Sequence, residues 1–266
     1  MNVLWVFAQP EQSSLNASLR DAGVCALARA GHICRMSDLY AMKWKPTVDR
    51  DDFTGEPAEP IAITTASEHT YHTNTLSADI RSEQDKLDWA DAVVLQFPLW
   101  WYGPPAILKG WIDRVFVKGY AYGVRDPKRP GRTLRYGQGK LTGKRALVIT
   151  SCGSPSAALG PRGINGQLDQ VLFGLLHGTL WYVGMSVLPP LAICGADRVS
   201  AEAYEAAAAL VCGRVTSIES ADPLPFRFQN GGDYDDNLVL RPHLAPGASG
   251  LAVHYARNAS RRSTDG

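Results

Sequence analysis

The sequence predicts a doubly wound α/β fold built around one parallel sheet, and three observations carry that expectation. Five short apolar runs of strand length alternate with longer stretches of helical periodicity. The runs end at polar, glycine- or proline-bearing loops, the place where open α/β sheets hold their ligands. No G-x-G-x-x-G fingerprint follows the first run, so the pattern is not that of a dinucleotide-binding Rossmann unit.

Val3 to Ala8 is the first strand, ending at Gln9-Pro10. Ser13, Ser14 and Asn16 then lead into a helix with Leu15, Leu19, Val24 and Leu27 on its apolar side. A strand, a polar loop and a helix N-terminus together suit an anion, because backbone N–H groups and the helix dipole both favour phosphate. Serine and asparagine are also ordinary capping residues, so both readings stand at this point. His32 to Leu39 is a second, less apolar strand expected near the sheet edge. Tyr40 to Ala78, with Trp44, Pro46, Pro57 and Pro60, is a long excursion of little periodicity, and such loops are functional or disordered. Ser77 to Trp89 returns to a helix with Ile80 and Leu87 facing inward.

Ala92 to Phe97 has the length and β-branched content of a fully buried central strand, stopped by Pro98. Leu99 and three consecutive aromatic residues, Trp100, Trp101 and Tyr102, follow at the carboxyl end. They suit a flat ligand; taken alone they serve equally well as core or interface aromatics. Gly103-Pro104-Pro105 opens a helix with Ile107, Leu108, Trp111, Ile112 and Val115 on one face, ending near Phe116. A second long loop runs from Gly119 to Gly143. Lys144 to Thr150 is the fourth strand, with Thr150-Ser151-Cys152-Gly153-Ser154 as its carboxyl-end loop. Gln167 to Tyr182 is apolar on most sides and reads as a helix buried twice, against the sheet and against a partner subunit, with His177 a satisfied helix histidine. Val187 to Cys194 is the fifth strand, and Ser200 caps an alanine-rich final helix over Ala201–Ile218. The expected division is a catalytic domain over 1–220 and an extended arm over 221–266, packed on that domain or on the partner.

Bulk properties exclude several classes. A net charge of +1 gives no electrostatic case for nucleic acid or an anionic membrane surface, and Arg125, Lys128, Arg129 and Arg132 read as a solvated loop. Five widely spaced cysteines without a CxxC pair argue against a disulfide framework or a metal site, and for reduced thiols. No apolar stretch approaches membrane-span length, and no basic segment precedes the first apolar run as in a signal peptide, so a cytoplasmic protein is expected.

The block Gln96-Phe97-Pro98-Leu99, an aromatic pair and glycine, then Pro105-Ala106-Ile107-Leu108-Lys109-Gly110-Trp111, resembles the signature of the NAD(P)H:quinone oxidoreductases. Ser37-Asp38-Leu39-Tyr40-Ala41-Met42, Ala121-Tyr122-Gly123 and Gly163-Ile164-Asn165-Gly166 agree in order, the last in a form similar to bacterial members. The resemblance implies a flavodoxin-like five-stranded sheet in the order 2-1-3-4-5 and a homodimer. It implies FAD, held by Gln9, Ser14, Leu15, Asn16, Pro98, Leu99, Trp100, Trp101, Tyr102, Thr150, Ser151, Cys152, Gly153 and Leu159. Substrate would meet Trp101, Tyr122, Gly123, Val124 and Asn165, with Asn165 and Tyr122 as the catalytic pair.

Several positions depart from the family pattern. Gln9 stands where animal members carry histidine, Val124 where many carry a second tyrosine, and Cys152 where a glycine is usual. Leu159 and Asn165 replace a tyrosine and a histidine that hydrogen-bond the flavin; asparagine keeps a donor and leucine does not. Cys152 reads as a small buried side chain in preference to a redox nucleophile. Tyr204 replaces an arginine near the adenine end, which leaves FMN open. The implied activity is two-electron reduction of quinones or related aromatics by NAD(P)H, in ping-pong order through the flavin. Two alternatives are a specialised reductase of a biosynthetic, nitro or azo compound, and a flavin-binding regulatory subunit of a potassium efflux system.

Overall fold

A computed structural model of the protein describes residues 1–55 and 60–256. Pro57 of the first long loop and the end of the arm, 257–266, lie outside the described residues. Six strands form one parallel sheet: β1 (Asn2–Phe7), β2 (Ile33–Asp38), β3 (Ala92–Pro98), β4 (Arg145–Cys152), β5 (Ser186–Val187) and β6 (Leu191–Cys194). Their order is β2-β1-β3-β4-β5, with β6 also on β4. The expected fifth strand is therefore two short ones. Pro189-Pro190 removes two consecutive ladder donors between them, which breaks the pairing.

Alternation along β1 sorts the core into two layers. Val3, Trp5 and Phe7 pack with α1 (Leu15–Arg29) and the last helix, α7 (Ala201–Thr216); Leu4 and Val6 face the other side. That other layer contains α3 (Ala78–Trp89) and α4 (Ala106–Val115), and β3, covered on both faces, is buried along its whole length. The edge position of β2 shows in its mixture of exposed and half-buried residues.

Two expectations change in detail. The excursion after β2 contains a helix, α2 (Ile63–His72), whose polar, threonine-rich sequence hides its periodicity. The stretch expected as one helix over Gln167–Tyr182 is broken into α5 (Leu168–Val171), α6 (Phe173–Leu175) and one π-helical turn, Leu176–Trp181. A π turn widens the ladder by one residue and is a frequent mark of functional segments.

The excursion is bolted to α4. The Arg114 guanidinium, buried in α4, pairs with Asp52 at 2.8 Å and with Asp79 at 2.7 Å. Beside it the Gly110 backbone touches Pro46 so closely that any side chain there would collide with the Pro46 backbone. The arm returns to the same chain: Leu224 N–H donates to Val187 O at 2.7 Å, Ala256 N–H donates to Pro225 O at 2.7 Å, and Phe226 is buried beside Trp181 and Phe173.

Candidate active site

The carboxyl ends of β1, β3 and β4 meet at one edge of the sheet. At β1, Ser14 caps α1 by accepting the Ala17 N–H at 3.2 Å, while the next two amides, of Leu15 and Asn16, have no intrahelical acceptor by helix geometry. Gln9 lies in the same loop, and its side-chain Oε1 is buried with no hydrogen-bond partner. An orphan acceptor beside a helix N-terminus is a polar group that the chain alone does not satisfy.

β3 delivers the aromatic loop. Leu99 N–H donates to Ser151 O at 2.8 Å, so Pro98, which has no N–H, sits where the ladder ends without loss. A tight turn closes with Gly103 N–H on Trp100 O at 3.0 Å, and it throws Trp101 and Tyr102 into left-handed backbone, φ 49° and 59°. Trp101 is 98% exposed and Tyr102 is 50% exposed. Large non-glycine residues in that region cost of the order of 1–2 kcal/mol each, and they gain little packing here in return.

β4 supplies the opposite wall. Thr150 Oγ1 donates to Phe97 O at 2.9 Å and the Ser151 hydroxyl accepts from Asn16 Nδ2 at 2.8 Å, so both point into the protein. A Cβ at Gly153 would meet the Asp197 carboxylate, which would have to turn aside. Cys152 extends the strand beyond its expected end, and its sulfur lies 3.7 Å from that of Cys194. Leu159 is buried on a short 3-10 turn, and Asn165 is pinned by its N–H on Ala158 O at 3.0 Å. The Asn165 amide bridges the two walls: Oδ1 accepts from Tyr102 Oη at 2.8 Å and Nδ2 donates to Ser154 Oγ at 3.3 Å.

A groove of about 410 Å³ results, lined by Leu99, Trp101, Tyr102, Cys152, Leu159 and Asn165 among others. Beneath it runs a buried chain of hydrogen bonds that the sequence reading missed. Trp5 Nε1 donates to Gln96 Oε1 at 3.0 Å, Gln96 Nε2 donates to Asn16 O at 2.8 Å, and Asn16 reaches Ser151. Gln96 has a signal in hindsight, as the one polar residue inside the apolar run of β3. Ser154 was read only as the last residue of the loop after β4, with no role assigned, and Asp197, which lies in no motif, was not singled out.

The remaining expected residues are elsewhere. Trp100 is half exposed but does not line the groove. Tyr122 lines a separate depression of about 360 Å³ with Phe116, Gly178 and Tyr182. Gly123 borders another, with Glu68, Lys118, Arg125 and Arg132. Val124 accepts the Leu134 N–H at 2.8 Å. Within one chain, Tyr122, Gly123 and Val124 do not join Trp101 and Asn165. Tyr204 packs against the α1–α7 layer.

A further cavity of about 270 Å³ lies under the arm, lined by Tyr136, Phe173, His177, Tyr234 and His254 among others. His177 is not the satisfied helix histidine expected. It stacks on Phe173 with centroids 4.6 Å apart, its Nε2 is buried without a partner, and burial with His254 nearby lowers its pKa to about 4. Among the described residues no group of His, Cys, Asp and Glu is placed to hold a metal ion, and no helix is long and apolar enough to cross a membrane.

The comparisons with known proteins agree with this geometry. Residues 1–212 match the family model of the flavodoxin-like fold. A ribosyldihydronicotinamide dehydrogenase-like protein, traD, of Penicillium crustosum is 43% identical over 257 residues, 96% of this chain and 95% of its own. The ribosyldihydronicotinamide dehydrogenase (quinone) of Mus musculus is 37% identical over 233 residues, covering 85% of this chain and 97% of its own. Among solved structures, a candidate quinone reductase from Klebsiella pneumoniae superposes with a TM-score of 0.92 at 46% identity, over 96% of this chain and 100% of that one. The chain belongs to the flavodoxin-like family, in its quinone oxidoreductase group.

Proposed function

We infer that this protein is a flavin-dependent oxidoreductase that passes two electrons from an NAD(P)H-class donor to a quinone or related aromatic acceptor. The observation that carries the reading is the groove between the Trp101–Tyr102 loop and the Cys152–Gly153–Ser154 loop, bridged by Asn165. Aromatic rings on one wall and a glycine-bearing backbone loop on the other suit a flat ring system, and the names of the relatives point to the same chemistry. FAD is the flavin we assign, with its phosphates toward the α1 N-terminus.

The fit of the residues rests on the α1 N-terminus, where the Leu15 and Asn16 amides have no intrahelical acceptor and can donate to phosphate, and on the orphan Gln9 Oε1, an acceptor for a donor group of the ligand. A bound flavin supplies two-electron hydride acceptance and donation. The chain's own contribution is positional. Trp101 and Tyr102 offer ring faces for stacking, with Leu99 and Leu159 excluding water on the apolar side. Backbone amides at Gly153 and Ser154 offer donors along one edge, where preorganised dipoles stabilise developing negative charge. Asn165 holds donor and acceptor atoms at the mouth of the groove, where an amide can hydrogen-bond a quinone oxygen. Leu159 offers no hydrogen bond, so more of that task falls on Asn165. Donor and acceptor would use the one groove in turn, a ping-pong scheme.

We also assign a homodimer. Tyr122 and its depression stand apart from the groove, and a second chain that brings them together completes the site. Visible absorption of the purified protein, with the released cofactor identified, is the first test. We expect bound FAD, bleached anaerobically by NAD(P)H and restored by a quinone. A protein that takes up no flavin on reconstitution overturns the reading.

A further inference from the structure

Cys152, which lines the groove, and Cys194 stand side by side at the carboxyl ends of β4 and β6. They are register partners on β4 and β6, so their side chains leave the sheet on the same face. Paired residues of adjacent strands are about 4.8 Å apart, within the roughly 4.4–6.8 Å between Cα atoms that a disulfide spans. The sulfurs are 3.7 Å apart, both thiols are free, and both residues are only partly buried. Cys25, Cys34 and Cys212 have other neighbours: Arg29, the Arg35 carbonyl and the Ala22 carbonyl. The proximity of Cys152 and Cys194 was invisible in a sequence where they are 42 residues apart.

We propose that Cys152 and Cys194 form a reversible dithiol–disulfide pair, a modification site in the wall of the groove whose oxidant is a peroxide. Cys152, which lines the groove, reacts first. Its thiolate sulfur bonds to one peroxide oxygen, the O–O bond breaks, and the departing hydroxide takes up the thiol's proton as water, leaving a sulfenic acid. Cys194 Sγ then attacks the Cys152 sulfur. The S–O bond breaks, and hydroxide leaves with the Cys194 proton as a second water. Two thiols lose two electrons and two protons, and one peroxide becomes two waters. Burial and the adjacent Cys152 hold the Cys194 thiol up at about 11, so it is slow to meet peroxide itself, and its 3.7 Å approach to the Cys152 sulfur is what equips it for the second step. A small dithiol reverses the bond by exchange. The disulfide ties the carboxyl ends of β4 and β6 directly below Gly153 and Ser154, so the oxidised protein presents a changed groove wall. None of this chemistry depends on the flavin.

The test uses the full-length protein as purified, treated with hydrogen peroxide, quenched, alkylated after denaturation and mapped by mass spectrometry. We expect the Cys152 and Cys194 peptides to appear joined, with the loss of two hydrogens, and to separate again after dithiothreitol. In Cys194→Ser the joined peptide disappears and Cys152 gains one or two oxygens instead. If wild-type Cys152 remains alkylatable, or goes on to sulfinic acid as fast as in Cys194→Ser, the pair is not a redox couple. The wild-type result alone decides the matter should the variant misfold.

Discussion

Trp101 and Tyr102 hold left-handed backbone while exposing their rings, a conformation that persists only where the surroundings over-determine it. Tyr102 is fixed through its hydroxyl by Asn165, so Asn165 serves two ends of one arrangement. Replacing Asn165 by Ala removes both the Tyr102 tether and the donor offered to an acceptor oxygen. We expect turnover with a quinone to fall about tenfold to a hundredfold, the equivalent of one or two hydrogen bonds at roughly 1.4 kcal/mol each. Flavin content should be retained, as read from the visible spectrum of the variant. His177 gives a prediction in pH. Its folded pKa of about 4 lies below the ordinary 6.5, so the unfolded chain binds the extra proton first as pH falls. Stability is then intact above about 6.5 and is lost progressively toward 4. Thermal unfolding followed from pH 7 to 4 should show a steeper fall for wild type than for His177→Asn, the carboxylates being common to both. Equal slopes would mean that His177 is not buried in neutral form.

At the scale of elements, the contact of Gly110 with Pro46 is the point where α4 meets the long excursion. Gly110→Ala forces that backbone apart, and overpacking of this kind costs about 1–3 kcal/mol. Urea unfolding should show that loss with an unchanged denaturant slope. β1, β3 and β4 were legible in the sequence as short apolar runs closed by proline or glycine, and β2 as an edge strand that lacks their apolar density, while the break between β5 and β6 was not. α2 was not, since threonines and histidines on a ten-residue helix leave no clear apolar stripe. The breaks within Leu168–Trp181 were hidden for the opposite reason: residues apolar on every side fix no helical phase. The groove's aromatic loop and Asn165 were readable through the family signature. Gln96, Asp197 and the Cys152–Cys194 contact depend on strand register, which a single sequence does not state.

Across the whole molecule, the two most exposed large apolar side chains among the described residues are a residue of the groove and the chain neighbour of another. Trp101 is 98% exposed and Ile164, next to Asn165, is 97% exposed. Apolar groups clustered at one site mark a surface that another body covers. For the homodimer proposed above, Ile164→Asp should shift the protein toward monomer in light scattering at matched concentration, with the monomer still folded by circular dichroism. A dimer unaffected by the charge would place the interface elsewhere. The buried line from Trp5 through Gln96 and Asn16 to Ser151 joins the two ends of the groove below its floor. Each member of that line is hydrogen-bonded to the next, so the segment after β1 and the loop after β4 do not vary independently. Redesign of this site for a different ring system calls for compensating changes made in pairs across the sheet, and single replacements along the line will look worse than the same replacements combined.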